Sequence, residues 1–396
     1  MSIQTKIKEL SKRYLDEIIH VRRHLHQHPE LSYHEFETSM FIQKKLDEHE
    51  ISYKAGYVKT GIIAKIEGNN PTSRVIALRG DMDALPVNEN TGLPFQSVNN
   101  GVMHACGHDV HTSSVLGSAI ILNSLKHEFE GTILIIFQPA EEKLPGGAKL
   151  MMEEGALDDP KPEIVIGQHI MPDLPVGTLG FKSGMYMAST DEIYLTIKGK
   201  GGHAAMPHQL TDNVLITSHI IVALQQIVSR NAKASIPSVL SFGKIIADGA
   251  TNIIPSEVKV EGTFRTMDEQ WRNSAHTKIQ QLAKLTARAM GADCEIEIKK
   301  GYPYLVNHHG ITKSAAAFAK EYLGNNKVVD LELRMTSEDF AYYSQKIPST
   351  FYRLGVKPVD LEDPPPLHTS NLTIDESALS TGMGAIAYIA ISLLKQ

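Results

Sequence analysis

Cysteine is nearly absent from this 396-residue chain: only Cys106 and Cys294 occur, far apart, and one pair is no disulfide framework. A reducing compartment fits that usage, and a cytoplasmic location is expected. Also missing is a basic excess. The 39 basic residues are interspersed among 45 acidic ones, for a formal net charge of -6, which argues against nucleic acid as a partner and against a polybasic membrane patch. Long hydrophobic runs are lacking as well. The longest, Gly384 to Leu394, falls short of the roughly 20 residues that span a bilayer and reads as a buried helix. The opening stretch MSIQTKIKELSKRYLDE is charged throughout and does not read as a secretory signal. What is present is 42% apolar and 21% charged sequence, enough for two moderate cores, so two domains and small-solute partners are expected.

Two strand patterns segregate along the chain. In the first half, continuous apolar runs, VIALRGD from Val75, ILIIFQP from Ile133 and EIVIGQH from Glu163, alternate with helical stretches near 112–126 and 145–155. Such runs suit strands buried on both faces of a largely parallel sheet. Between about 187 and 300 the apolar residues alternate instead: Ile193, Leu195, Ile197; Val258, Val260, Phe264; Ile296, Ile298. With helices over 212–230 and 268–290 and a strand over 239–246, the order is β-α-β-β-α-β, an inserted ferredoxin-like domain with one wet sheet face. The expected fold is therefore α/β, with a mostly parallel-sheet domain from 1–186 and 301–396 and an α+β insert at 187–300. Thr373 and Glu376 have capping-box spacing ahead of the last helix.

The chemistry-bearing residues follow the apolar runs. VIALRGDMD ends in Asp81 and Asp83, ILIIFQPAEE in Glu141 and Glu142, EIVIGQH in His169, and Cys106 and His108 lie between the first two. Ligands of open α/β sheets bind outside the carboxyl ends of the strands, so one polar pocket is the economical reading. A lone carboxylate at a strand end is more often a solvated cap. The stretch GVMHACGHDVHT admits a metal site or a cysteine nucleophile, and the crowd of histidines favours the metal. His20, His24 and His28 have i, i+4 spacing but no following glutamate, so a packed or solvated face is expected there. His308 and His309 have no identifiable partner. His203 follows a glycine-rich turn and His368 precedes the final helix; a surface histidine is the plain alternative for each.

Taken in order, LRGDMDALP, MHACGHDVHT, FQPAEE, GQH, GGHAAMPH, TNIIPSEVKVEGTFRT, SEDF and LHTSN resemble the metal-dependent aminoacylases and carboxypeptidases. The resemblance covers essentially the whole chain and is closest to the amidohydrolase branch of hippurate hydrolases, indole-acetyl-amino-acid hydrolases and N-acetyl-diaminopimelate deacetylases. It implies a divalent metal site of Cys106, His108, Glu142, His169 and His368, with Glu141 as catalytic base. It also implies that Asp83 supports the ligands from behind. His203 matches a histidine that reaches into the partner subunit's site in related dimers, so the insert becomes a dimerisation domain and the assembly a homodimer or higher homo-oligomer. Asn252 and Arg265 match substrate-holding residues. One departure is that Asp81-Met82-Asp83 stands where the wider family has His-x-Asp, and Cys106 where it has a bridging aspartate. The resemblance therefore leaves one or two ions, manganese or zinc, with cobalt or nickel as further options. The reaction implied is cleavage of an N-acyl amino acid to a carboxylic acid and a free amino acid. The alternatives are a dipeptidase or carboxypeptidase of the same family, a Cys106 thiol amidase, or a metal-binding protein without activity.

Overall fold

The computed structural model describes residues 1–396 and divides into two compact units. One comprises Met1–Tyr186, Val306–Leu333 and Asp339–Gln396; the other comprises Met187–Leu305 with Arg334–Glu338. No helix is long and apolar enough to cross a membrane.

The first unit is built on an eight-stranded mixed sheet. Its strands are β1 (Ser52–Tyr57), β2 (Gly61–Glu67), β3 (Val75–Asp81), β4 (Thr132–Gln138), β5 (Ile164–Pro175), β6 (Leu179–Phe181), β7 (Val328–Asp330) and β8 (Ser349–Lys357). They lie in the order β1-β2-β4-β3-β5-β8-β6-β7. The central pairs β4–β3, β3–β5 and β5–β8 are parallel, and antiparallel strands flank them. Every residue of β3 and β4 is buried, which is why these segments read as unbroken apolar runs. Strand β5 continues six residues past His169, to Pro175, rather than ending at that histidine, because β8 pairs along its length.

Three helices pack together beside this sheet: α1 (Ile3–Gln27), α2 (His108–Ser124) and α3 (Ala378–Leu394). Helix α2 starts four residues before the sequence reading placed it. It is buried from His108 to Leu122 and so shows no amphipathic period to mark its start. The capping box at Thr373 and Glu376 does not form. Helix α3 begins at Ala378, its N-cap Ser377 makes no side-chain cap, and Glu376 is instead bound by Arg23 at 2.6 Å and Arg22 at 3.3 Å. A carboxylate facing two guanidiniums gains more there than from one backbone amide.

The second unit holds a four-stranded antiparallel sheet of 191–198, 238–246, 257–266 and 293–300. Helices 213–226 and 269–289 complete the β-α-β-β-α-β order. Alternate residues Ile193, Leu195, Ile197, Val258, Val260 and Phe264 face the core with Ile220, Leu224 and Ile279 of the helices.

Candidate metal centre

The pocket lies at the carboxyl ends of the parallel strands. Register carries β3 to Asp81, level with Gln138 of β4, while β5 and β8 set His169 beside Arg353. Between β3 and β4 the chain returns through Met103–Gly107 into α2. Gly107 makes that turn possible: its φ is 81°, and a Cβ there would sit 2.2 Å from Ile170 Cδ1. The glycine thus separates Cys106 in the turn from His108 in the first helical turn, and both side chains enter one space.

Donor atoms converge there. Cys106 Sγ is 3.4 Å from His169 Nε2 and 3.3 Å from His368 Nε2, and Glu142 Oε1 is 3.5 Å from His368 Nε2 and 3.9 Å from His108 Nε2. Ligands held tetrahedrally at zinc distances lie about 3.5 Å apart, and these separations are of that size. Of the donor groups that can be drawn, Cys106–His108–His169 and Cys106–Glu142–His368 share the thiol, while Asp81–His108–His111 and His108–Glu141–Glu142 share an imidazole.

Hydrogen bonds fix which ring nitrogen faces inward. His108 Nδ1 donates to the Asp83 carbonyl at 2.8 Å and His169 Nδ1 to the Ile170 carbonyl at 2.7 Å, so both lone pairs sit on Nε2. His108 Nε2 is buried with no hydrogen-bond partner, which an imidazole lone pair tolerates when a cation occupies the space before it. His111 also lies near Asp81 and His108, but both its nitrogens are used. Nε2 accepts the Ile170 amide at 2.8 Å and Nδ1 donates to Asp81 at 2.7 Å, so it orients rather than ligates.

Asp83 is the hub beneath the donors. Its carboxylate accepts Ser32 Oγ at 2.6 Å and the amides of Glu141 and Glu142 at 3.0 and 2.9 Å, and it stands 3.3 Å from His108 Nδ1. One side chain therefore sets both adjacent glutamates and one imidazole. Glu141 is buried, and its Oε1 accepts the Asp339 amide at 3.3 Å. His368 has a φ of 65°, a conformation uncommon without glycine; its amide donates to the Ala105 carbonyl at 2.7 Å.

Burial and neighbouring charges pull the titrating groups of the pocket in different directions. Burial, with the Glu142 carboxylate beside it, pushes the Cys106 thiol well above its usual range. Burial and Arg353 push the His169 imidazole well below. Burial works against charge on His108, yet Asp81 and Cys106 hold its pKa up. A divalent ion reverses the first effect by holding a thiolate outright.

Asp81, expected at this edge of the sheet, and Glu35, which the sequence does not mark, also line this region. Burial opposes charge on Asp81, but Arg79, His108 and His111 hold its carboxyl well below the usual range. Glu35 is fully buried and accepts the amides of Tyr33 and Ala140 at 2.9 and 2.8 Å. His104, from the same stretch as Cys106, makes no hydrogen bond at either nitrogen and braces no neighbour; its ring lies 6.5 Å from His26. Asp109 does support, binding Arg22 at 2.7 Å and His26 at 2.9 Å beneath α2. The other histidines stay apart from the centre. His24 stacks on Phe41, His308 caps helix 309–323, and His309 meets Ser183 Oγ at 2.8 Å.

His203, Asn252 and Arg265 belong to the second unit. His203 is exposed on a short strand paired with Ile253, and its Nδ1 accepts the Ala205 amide at 3.1 Å. The neighbouring Ala204 amide donates to the Asn252 carbonyl at 3.0 Å. Arg265 is half-buried and donates to the Met335 carbonyl at 3.2 Å.

Comparison with known proteins extends this picture. The chain is 40% identical over 387 residues to an N-acetylcysteine deacetylase of Bacillus subtilis (strain 168), covering 97% of this chain and 98% of the relative. An N-acetyldiaminopimelate deacetylase of Bacillus cytotoxicus is 36% identical over 92% of this chain and 95% of its own. The crystal structure of the YXEP protein of Bacillus subtilis, described as a dinuclear metal binding peptidase, superposes with a TM-score of 0.84 at 36% identity, covering 97% and 99% of the two chains. The model of peptidase family M20/M25/M40 matches residues 77–392, and the chain belongs to that family.

Proposed function

We propose that this protein is a metal-dependent amidohydrolase that cleaves N-acyl amino acids to a carboxylic acid and a free amino acid. One observation carries the reading: a thiol, imidazole lone pairs and a carboxylate converge at 3.3–3.9 Å with the buried Glu141 adjoining. The deacetylase names of the relatives support the substrate class.

Cys106, His108, Glu142, His169 and His368 would hold the metal, with Asp83 fixing their aim from behind. Cys106 belongs to two of the donor groups, so its thiolate would serve both ions if the site held two. Mixed sulfur, nitrogen and oxygen donors suit zinc or manganese, with cobalt or nickel as substitutes. When bound, a divalent cation supplies the Lewis-acid chemistry that makes water a competent nucleophile near neutral pH. Glu141 takes the proton from that water and delivers it to the departing amine. His203, contributed by the partner subunit of a homodimer, donates to the oxyanion as the carbonyl carbon becomes tetrahedral. Asn252 and Arg265 hold the substrate, Arg265 by its carboxylate. A Cys106 nucleophile is disfavoured, since its surroundings raise the thiol pKa instead of lowering it.

Exposed apolar side chains on the insert support such a dimer. Helix 213–226 exposes Val214, Leu215 and Val222 at 40, 50 and 72%, and the edge strand 238–246 exposes Ile245 and Ile246 at 55 and 44%. An unpaired strand edge with exposed apolar side chains is commonly covered by a partner. Glu141→Gln is expected to keep its full metal content and lose about 10²–10⁴-fold in turnover of N-acetyl amino acids. Near-normal hydrolysis by the metal-loaded variant would refute the assignment.

A further inference from the structure

The motif Ser337-Glu338-Asp339-Phe340 has no part in the reaction as described, yet its aspartate is among the most completely bound groups in the molecule. Asp339 is fully buried. Its Oδ1 accepts Arg79 Nη2 at 2.7 Å and Gln138 Nε2 at 2.9 Å, while Oδ2 accepts Gln138 Nε2 at 2.8 Å and the Ala148 amide at 2.9 Å. The segment that brings Ala148 there is packed to its limit: a Cβ on Gly147 would lie 1.7 Å from the Pro139 carbonyl oxygen. Every one of these partners is a donor, so the site is built for a carboxylate and nothing else of that size.

The same residue's main-chain N–H points at the proposed base, 3.3 Å from Glu141 Oε1. A glutamate has three side-chain torsions, and the last is broad. A fixed donor on one oxygen removes that freedom and sets the direction in which the carboxylate meets a proton. The guanidinium that anchors Asp339 also donates from Nη1 to Asp81 Oδ2 at 2.7 Å, and Asp81 in turn receives His111. A single buried cation thus ties the imidazole side of the pocket to the base side.

We propose that Asp339 is a positioning residue for Glu141: its anchored carboxylate holds its own backbone amide against Oε1 and so fixes the aim of the base. This rests on the reading of Glu141 as the proton-transfer group. A purely structural role for the Arg79–Asp339 pair makes different predictions, because weakening it would loosen Asp81 and the metal site together.

The test is Asp339→Asn, which turns an NH2 group toward donors. It should lower kcat by about 10–100-fold, the usual scale for groups that orient a catalytic residue. KM and the affinity of the metal-free protein for zinc or manganese, titrated by calorimetry, should not change. In the double variant with Glu141→Gln, turnover should be no lower than in Glu141→Gln alone, since one residue acts through the other. Gln138→Met, which removes two of the four anchoring bonds and the Arg79 Nε bond to Gln138 at 2.9 Å but leaves the Arg79–Asp339 ion pair, should give a smaller kcat loss of the same pattern and carries the test if Asp339→Asn does not fold. Unchanged kcat in the folded variants, metal affinity falling in step with kcat, or losses that multiply with Glu141→Gln would each overturn the proposal. Near-normal turnover by Glu141→Gln alone would instead remove the base assignment on which it stands.

Discussion

At the residue scale, the site is bought with strained backbone and buried charge. Ala140 and His368, which set Glu141 and the last ligand candidate, both have positive φ, as does Tyr33 beside Glu35. Each such residue costs on the order of 1–3 kcal/mol. Glu35 offsets part of that cost by accepting the amides of Tyr33 and Ala140 together. Burial, with Asp83 nearby, pushes its carboxyl up to about 7. The folded protein therefore keeps a proton that the unfolded chain releases near pH 4.3. That contribution is fully present below the unfolded value and is lost as pH rises through about 7, a change of roughly 3 kcal/mol. Glu35→Gln accepts the same two amides but does not ionise, so its melting temperature should rise relative to the unsubstituted protein between about pH 5 and pH 8. Parallel pH profiles of the two would contradict the assignment. Residue identity made the thiol, imidazole and paired glutamates legible in the sequence. Glu35 and the anchoring of Asp339 were not, because a carboxylate in a turn has the same letters whether it is solvated or a fully buried anchor, and Asp81 was visible only as a strand-end acid, without its bond to Arg79.

At the scale of elements, period was a good guide and boundaries were not. Continuous apolar runs marked β3, β4 and β5, and alternation marked the insert strands, since burial on two faces or one writes itself into the sequence. The end of β5 was hidden because pairing with β8 continues beyond the histidine. The start of α2 was hidden for a different reason: a helix buried on nearly every side has no polar face to reveal its first turn, and its cap is Gly107 in a left-handed conformation rather than a serine or threonine. At Thr373 and Glu376 the spacing was right and the tertiary context overrode it, because Arg22 and Arg23 take the glutamate.

At the scale of the whole molecule, the change from continuous to alternating pattern exposed the insert. Arg334–Glu338 joins the second unit from far along the chain, and no local signal marks such a segment. If His203 serves the partner's site, an inactive His203→Ala protein mixed with inactive Glu141→Gln protein should recover activity, because some mixed dimers then hold one intact site. No recovery after demonstrated subunit exchange would rule out sharing. The central claim, metal-dependent hydrolysis of N-acyl amino acids, is tested most directly by removing the metal. The purified protein, stripped by a chelator and assayed on N-acetylcysteine, should show no turnover and regain it on addition of manganese or zinc. Hydrolysis that persists in protein verified as metal-free would contradict the account.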